Sequence, residues 1–181
     1  MKTPILFVLF TISFCTAVAQ YTTNPLADKK WVNVAAGLSN MDNISWTAGV
    51  TASLRGDVII TSARFAYSQE LIEAANDSVF SPKNRLLELG MMWGEGYGGK
   101  NWYVSAVGGM GLNVRFFGDD EEDSDAVRRL AAVTIGVPLQ IEFGIFMTEN
   151  LALTFNGVAN WNFREPYAGG QMGVTYRVKK K

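Results

Sequence analysis

The 181-residue chain contains no histidine. This absence removes the side chain that most often acts as a general base or activates a nucleophile near neutral pH. It also excludes a histidine-based metal site and leaves carboxylate-only or Tyr/Lys chemistry as the remaining catalytic routes. The acidic run Asp119, Asp120, Glu121, Glu122, Asp123 and Asp125 is the densest chemical feature. Hard cations favour clustered carboxylates, but the run lacks the glycine and terminal glutamate of a calcium-binding hand. Its plain reading is a solvated hairpin tip, with a cation or surface partner at residues 119–125 as the sharper alternative. Gly94-Glu95-Gly96-Tyr97-Gly98-Gly99-Lys100 looks like a phosphate-binding loop. Such a loop must open a helix whose amides face the phosphate. A strand beginning near Asn101 follows instead, so the segment reads as a hairpin turn. The sequons Asn43-Ile44-Ser45 and Asn76-Asp77-Ser78 matter only in a eukaryotic secretory pathway. No catalytic, cofactor-binding or metal-ligating residue is assigned, and no cofactor is expected.

The N-terminus carries an address. Lys2 supplies a positive start, Pro4–Phe14 an apolar stretch, and Ala17-Val18-Ala19 a small-residue cleavage site before Gln20. Met1–Ala19 therefore reads as a removable export signal, since the apolar run is short for a helix that crosses a bilayer. The bulky Phe14 before Cys15 argues against a lipoprotein signal. Cleavage removes Cys15, the lone cysteine. An exported chain without disulfides must be held by its own core or by a closed hydrogen-bonded sheet. The net charge of −1 argues against nucleic acid as a partner.

Residue alternation points to the sheet. Ile44, Trp46, Ala48, Val50, Ala52 and Leu54 alternate with Ser45, Thr47, Gly49, Thr51, Ser53 and Arg55. A period of two with separated polarity is a strand. The next strand sets Ile59, Ala63, Phe65 and Tyr67 against Ser62, Arg64 and Ser68. Further segments repeat the pattern around Leu87–Trp93, Trp102–Phe116, Val133–Ile145, Leu151–Trp161 and Met172–Val178. With a first strand near Trp31–Ser39, eight strands are predicted.

The connections alternate as well. Arg55-Gly56, Tyr97-Gly98 and Thr148-Glu149-Asn150 read as tight turns, the first pairing Leu54 with Asp57. Glu70–Lys83 and Gly118–Ala126 are long and polar, with a short helical turn expected over Glu70–Asn76. Asn40–Asn43 and Glu165–Gly169 are intermediate. Short periplasmic turns and longer outer loops belong to a transmembrane β-barrel. The charges Arg64, Glu88, Arg115, Glu142, Arg164 and Arg177 all share the polar face, which becomes the lumen. Trp46, Trp93, Trp102 and Trp161 share the apolar face at similar depth and read as an interfacial girdle.

These segments, Ile44–Leu54, Trp102–Phe116 and Leu151–Tyr176 above all, resemble the small eight-stranded outer membrane β-barrels. Those are the membrane-domain type of outer membrane protein A and the X-type adhesion barrels. The resemblance implies an all-β, antiparallel up-and-down barrel over residues 30–181, preceded by the signal (1–19) and a periplasmic lead-in (20–29). It implies location in the outer membrane of a Gram-negative cell, with membrane lipid and the barrel assembly machinery as partners. The chain departs from the family at its end, where Lys179-Lys180-Lys181 follows Tyr176-Arg177-Val178 in place of a terminal aromatic residue. Barrel enzymes of the outer membrane are understood to rely on histidine, so a non-enzymatic structural, adhesion or surface-interaction role is expected. A narrow pore is the first alternative, and a secreted barrel carrying a small apolar ligand the second. Within the lumen, Arg64 and Glu88 are expected to be neighbours. Glu142, Arg177 and Arg55 are expected near the periplasmic end, and Asn156, Asn160, Gln140 and Gln171 are expected to satisfy the buried charges.

Overall fold

A computed structural model describes residues 29–40, 44–56, 59–71, 84–117, 131–162 and 166–178. The export signal, the acidic run, Arg164 and the expected helical turn beyond Leu71 lie outside the described residues. So do residues 20–28 of the lead-in.

Eight strands form: β1 (Lys30–Asn40), β2 (Ile44–Arg55), β3 (Ile60–Glu70), β4 (Asn84–Gly98), β5 (Trp102–Phe117), β6 (Ala131–Phe146), β7 (Leu151–Asn162) and β8 (Tyr167–Val178). Each pairs antiparallel with the next, and β8 returns to β1, closing the barrel. Closure leaves no unpaired edge. The three tight connections share one end of the barrel with Lys30 and Val178, here the turn end. The opposite rim is the loop end.

The registers correct three expected turns. Arg55 pairs with Ile60 and Leu54 with Thr61, not with Asp57. The turn closes through Gly56 N–H donating to the Ile59 carbonyl at 3.0 Å. The displacement is by an even number of residues, so every side chain keeps its face. Gly94–Gly98 continues β4 instead of turning, and the chain reverses over 99–101, closed by Gly99 N–H on the Trp102 carbonyl at 2.9 Å. Cross-strand pairing with β5 extends the ladder through glycines that local propensity reads as a turn. Likewise Tyr167–Gly169 is already β8, because pairing with β1 and β7 overrides its turn-like composition. The turn at 148–150 is as expected, with Met147 N–H on the Leu151 carbonyl at 2.9 Å.

Alternation sorts the two faces. Outward residues such as Phe65, Met110, Ile135 and Val137 are exposed, whereas inward Thr47, Asn113 and Thr154 are fully buried. The outward charges in the described strands, Lys30, Arg85 and Glu95, lie near the rims; Glu95 lies past the Ile60–Gly94 pair at which β3 begins. All four predicted girdle tryptophans point outward, but they form two rims. Trp46 and Trp161 lie at the loop end, and Trp93 and Trp102 at the turn end. A tyrosine joins each rim: Trp46 packs on Tyr67 with centroids 5.2 Å apart, and Trp102 on Tyr97 at 5.6 Å. The similar depth expected from strand position fails because strands entering and leaving a rim count from opposite ends.

One strand breaks a general rule. Pro138 sits in the middle of β6, where it cannot donate to the ladder. The β5–β6 pairing runs to Gly108–Leu139 and resumes at Gly111–Gly136, skipping the two pairs between. Phe146 N–H donates to the Asn101 carbonyl, so alternation makes Gly109 and Pro138 a hydrogen-bonded pair position. Gly109 therefore loses its donor there. Pro138 is buried in the lumen, and its Cγ stands 3.0 Å from where a Cβ on Gly90 would be.

Candidate functional site: the filled lumen

Eight strands enclose an interior just wide enough for side chains. Among the described residues, the inward positions of all eight strands fill it with two extended polar networks, smaller polar contacts and three apolar clusters.

Toward the loop end, Arg64 on β3 and Glu88 on β4 form a fully buried ion pair, Nε to Oε1 at 3.3 Å. The other carboxylate oxygen accepts from Asn160 Nδ2 at 2.6 Å and from the Tyr167 hydroxyl. Asn160 and Asn113 exchange amide hydrogen bonds at 3.1 and 3.2 Å. Gly136 makes this possible, because a Cβ there would occupy the place of both amides. The Nη atoms of Arg64 have no hydrogen-bond acceptor among the described residues. The pair is thus only partly satisfied.

Toward the turn end, Glu142 on β6 is the hub. It accepts from the Tyr103 hydroxyl, from Thr175 Oγ1 at 2.9 Å, from Gln140 Nε2 at 3.3 Å and from Asn33 Nδ2 at 3.4 Å. Asn33 also donates to Thr154 and Thr175, each at 2.8 Å. Gly144, directly opposite Tyr103, leaves room for the phenol ring that a Cβ would strike. Thr51 links this network upward by donating to Gln140 Oε1 at 3.2 Å, and its cross-strand partner is Arg64.

Apolar side chains share the lumen with the polar networks. Trp31, Ile60, Met92 and Val107 form one buried cluster, Leu86, Val158 and Tyr167 a second, and Tyr103 with Ala152 a third, covered by Phe146. Arg177 stacks over Phe146 with its Cζ 4.1 Å from the ring centroid and donates to the Glu149 carbonyl at 3.3 Å. Arg55 donates to the Gly96 carbonyl at the same end.

The expected neighbours Arg64 and Glu88 are together, and Arg115 and Glu142 are buried on the inner face. Arg55 and Arg177 lie at the turn end, yet the structure pairs neither with Glu142. Of the four expected amides, Asn160 and Gln140 serve the buried charges. Asn156 donates instead to Asn33 Oδ1 at 3.1 Å and Gln171 to Thr47 at 3.2 Å. Tyr103, Tyr167, Asn33 and Thr175 carry much of the network and were not singled out in the sequence. Their signal was parity: Tyr103 alternates with Trp102 and Val104, and Thr175 with Val174 and Tyr176. Among the described residues no group of three His, Cys, Asp or Glu is placed to hold a metal ion.

No family model and no curated sequence matches the chain. Its structure is similar to that of Neisserial surface protein A, NspA, at a TM-score of 0.58 and 13% identity, covering 84% of this chain and 96% of that one. It is similar to Ail, the attachment invasion locus protein of Yersinia pestis, at 0.56 and 10%, covering 83% and 97%. A de novo designed transmembrane β-barrel matches at 0.56 and 15%, covering 86% and all of the design. At such identities the likeness speaks for the fold. Closed ring, strand count, apolar exterior and filled interior agree with it: this chain is an eight-stranded antiparallel β-barrel with the fold of small transmembrane barrels of outer membranes.

Proposed function

We propose that the protein resides in the outer membrane of a Gram-negative cell as a non-enzymatic structural, adhesion or surface-interaction barrel with a closed lumen. One observation carries this reading: the wall inverts the polarity of a water-soluble protein. Its outward band is apolar between two aromatic rims, while Arg64, Glu88, Arg115 and Glu142 are buried inside. A soluble carrier of an apolar ligand would need the opposite arrangement. The outward Trp and Tyr rings then sit at the two headgroup levels, with the turn end toward the periplasm and the loops outside. Membrane lipid and the barrel assembly machinery are the partners this reading requires. The surface role is an analogy from fold with proteins such as Ail, and the acidic run at 119–125 is its candidate contact.

Outer-membrane fractionation, together with faster gel migration before boiling than after, tests the membrane reading. Recovery of the chain in the soluble periplasmic fraction would overturn it. Deleting Asp119–Asp125 is expected to leave outer-membrane level and protease protection unchanged, since loop tips tolerate change. Failure to assemble would make that loop structural and remove it as a contact.

A further inference from the structure

We infer that the turn-end rim where β8, β1 and β2 meet holds the headgroup of an anionic diacyl phospholipid, gathered by Lys30 and by the lysines that follow β8. The inference rests on the membrane reading above and adds to it a lipid class and a place on the wall. Lys30 opens β1, alternates with buried Trp31 and is exposed on the outer face. Its cross-strand neighbours there, Leu54 on β2 and Val178 on β8, are exposed too. Past Val178 the sequence runs Lys179-Lys180-Lys181. A chain advances at most about 3.6 Å per residue, so the Cα atoms of these three stay within roughly 11 Å of Val178.

Charge at this end is one-sided. Among the described residues it carries Lys29, Lys30, Arg55, Lys100 and Arg177 against the carboxylates of Glu95 and Glu149. The charge of Glu95 is felt by Arg55, and Glu149 lies in the turn whose carbonyl Arg177 engages. Among the described residues no carboxylate stands at ion-pair distance from Lys30. The acidic run at 119–125 does not neutralise it, because that segment joins β5 to β6 at the other end of the barrel.

Placement selects the occupant. Lys30 projects from the lipid side of the wall and not from the tip of a turn. Its methylene stem therefore covers apolar surface while the ammonium group reaches the level of the phosphates. The outward positions that lead from it toward mid-wall, Leu54, Val178, Tyr176, Val174 and Val34, are exposed and suit two acyl chains. A soluble anion would leave that stripe unused, and a polymer in the periplasm would meet the turn tips first. With the turn end toward the periplasm, the lipid belongs to the inner leaflet. Attraction between exposed charges fades within a Debye length, so lysines count here because they are gathered on one seam.

The test uses the purified barrel folded into nanodiscs of phosphatidylglycerol and phosphatidylcholine at equal mole fraction. Native mass spectrometry of the released protein then reads the ratio of its one-lipid adducts. The parent is expected to keep phosphatidylglycerol over phosphatidylcholine by about fivefold or more, the effect of one lysine or several at a bilayer surface. Lys30→Gln combined with Lys179→Gln, Lys180→Gln and Lys181→Gln is expected to bring the ratio close to one. Lys30→Gln alone is expected to lower it part of the way, and it serves if the quadruple variant fails to fold. Arg85→Gln removes an outward charge near the loop end and is expected to change nothing. A parent ratio near one would overturn the site, as would a preference that survives the quadruple variant or disappears in Arg85→Gln. Lysine-dependent sedimentation with peptidoglycan sacculi, without a lipid preference, would overturn it by giving the surface to a polymer. A barrel that enters neither lipid overturns the membrane reading itself, whereas one that enters both and prefers neither overturns this site alone.

Discussion

Glu88 shows what a buried charge demands of its neighbours. Arg64, Asn160 and Tyr167 converge on it from three strands. Glu88→Ala leaves the Arg64 guanidinium buried and alone, so a loss of about 3–5 kcal/mol is expected in urea unfolding. Arg64→Met with Glu88→Met should recover most of that loss, because an apolar pair of similar volume carries no desolvation penalty. A double variant no more stable than Glu88→Ala would refute this account of the pair. Residue chemistry also separates the two faces. Val137 points outward at mid-strand, where Arg would cost about 2–4 kcal/mol in a bilayer. Thr134 faces inward on the same strand and lies nearer the loop end, so Thr134→Arg should fold into lipid vesicles more readily. Equal folding yields would contradict the face assignment.

At the scale of the element, β6 is the unusual strand. Pro138 withholds a donor from Gly109 at the middle of the wall, and glycines at 90, 109, 111 and 136 surround it. Pro138→Ala restores an N–H to the ladder, worth about 0.5–1.5 kcal/mol as a net hydrogen bond. Hydrogen exchange should then slow in 108–111 and 136–139. Unchanged exchange would show that the gap is held open by something other than the missing donor. The neighbouring hairpins show the opposite lesson. Glycine-rich Gly94–Gly98 is strand because β5 supplies partners on one side throughout its length. Local propensity is a weak guide wherever a ladder is available.

For the whole molecule, closure and filling are one fact. The eight-strand circumference leaves a bore that the polar networks share with the buried side chains of Trp31, Met92, Leu86 and Tyr167. The purified protein in a planar bilayer is therefore expected to show no stable unit conductance. Reproducible open-channel steps would refute the plug. The apolar clusters make this expectation firmer than polar filling alone, since ordered polar groups can rearrange around water whereas packed rings and aliphatic chains exclude it.

The sequence by itself determined the strands, their number and the face each residue takes. Alternation is a local property, and a face survives any even shift in register. That is why Trp46 and Phe65 stayed on the same side although the turn after Arg55 is longer than the sequence indicates. The Arg64–Glu88 pair was legible too, because adjacent strands in an up-and-down barrel have few ways to meet. Only the tertiary structure decided what crosses the bore. Asn33 reaches Thr154, and Tyr103 reaches Glu142 and Thr175. Tyr103 and Glu142 sit on adjacent strands, but Asn33 and Thr154 belong to strands that are not neighbours. Contacts across a barrel depend on its tilt, its stagger and the glycines that make room, and none of these is written in the period of a single strand.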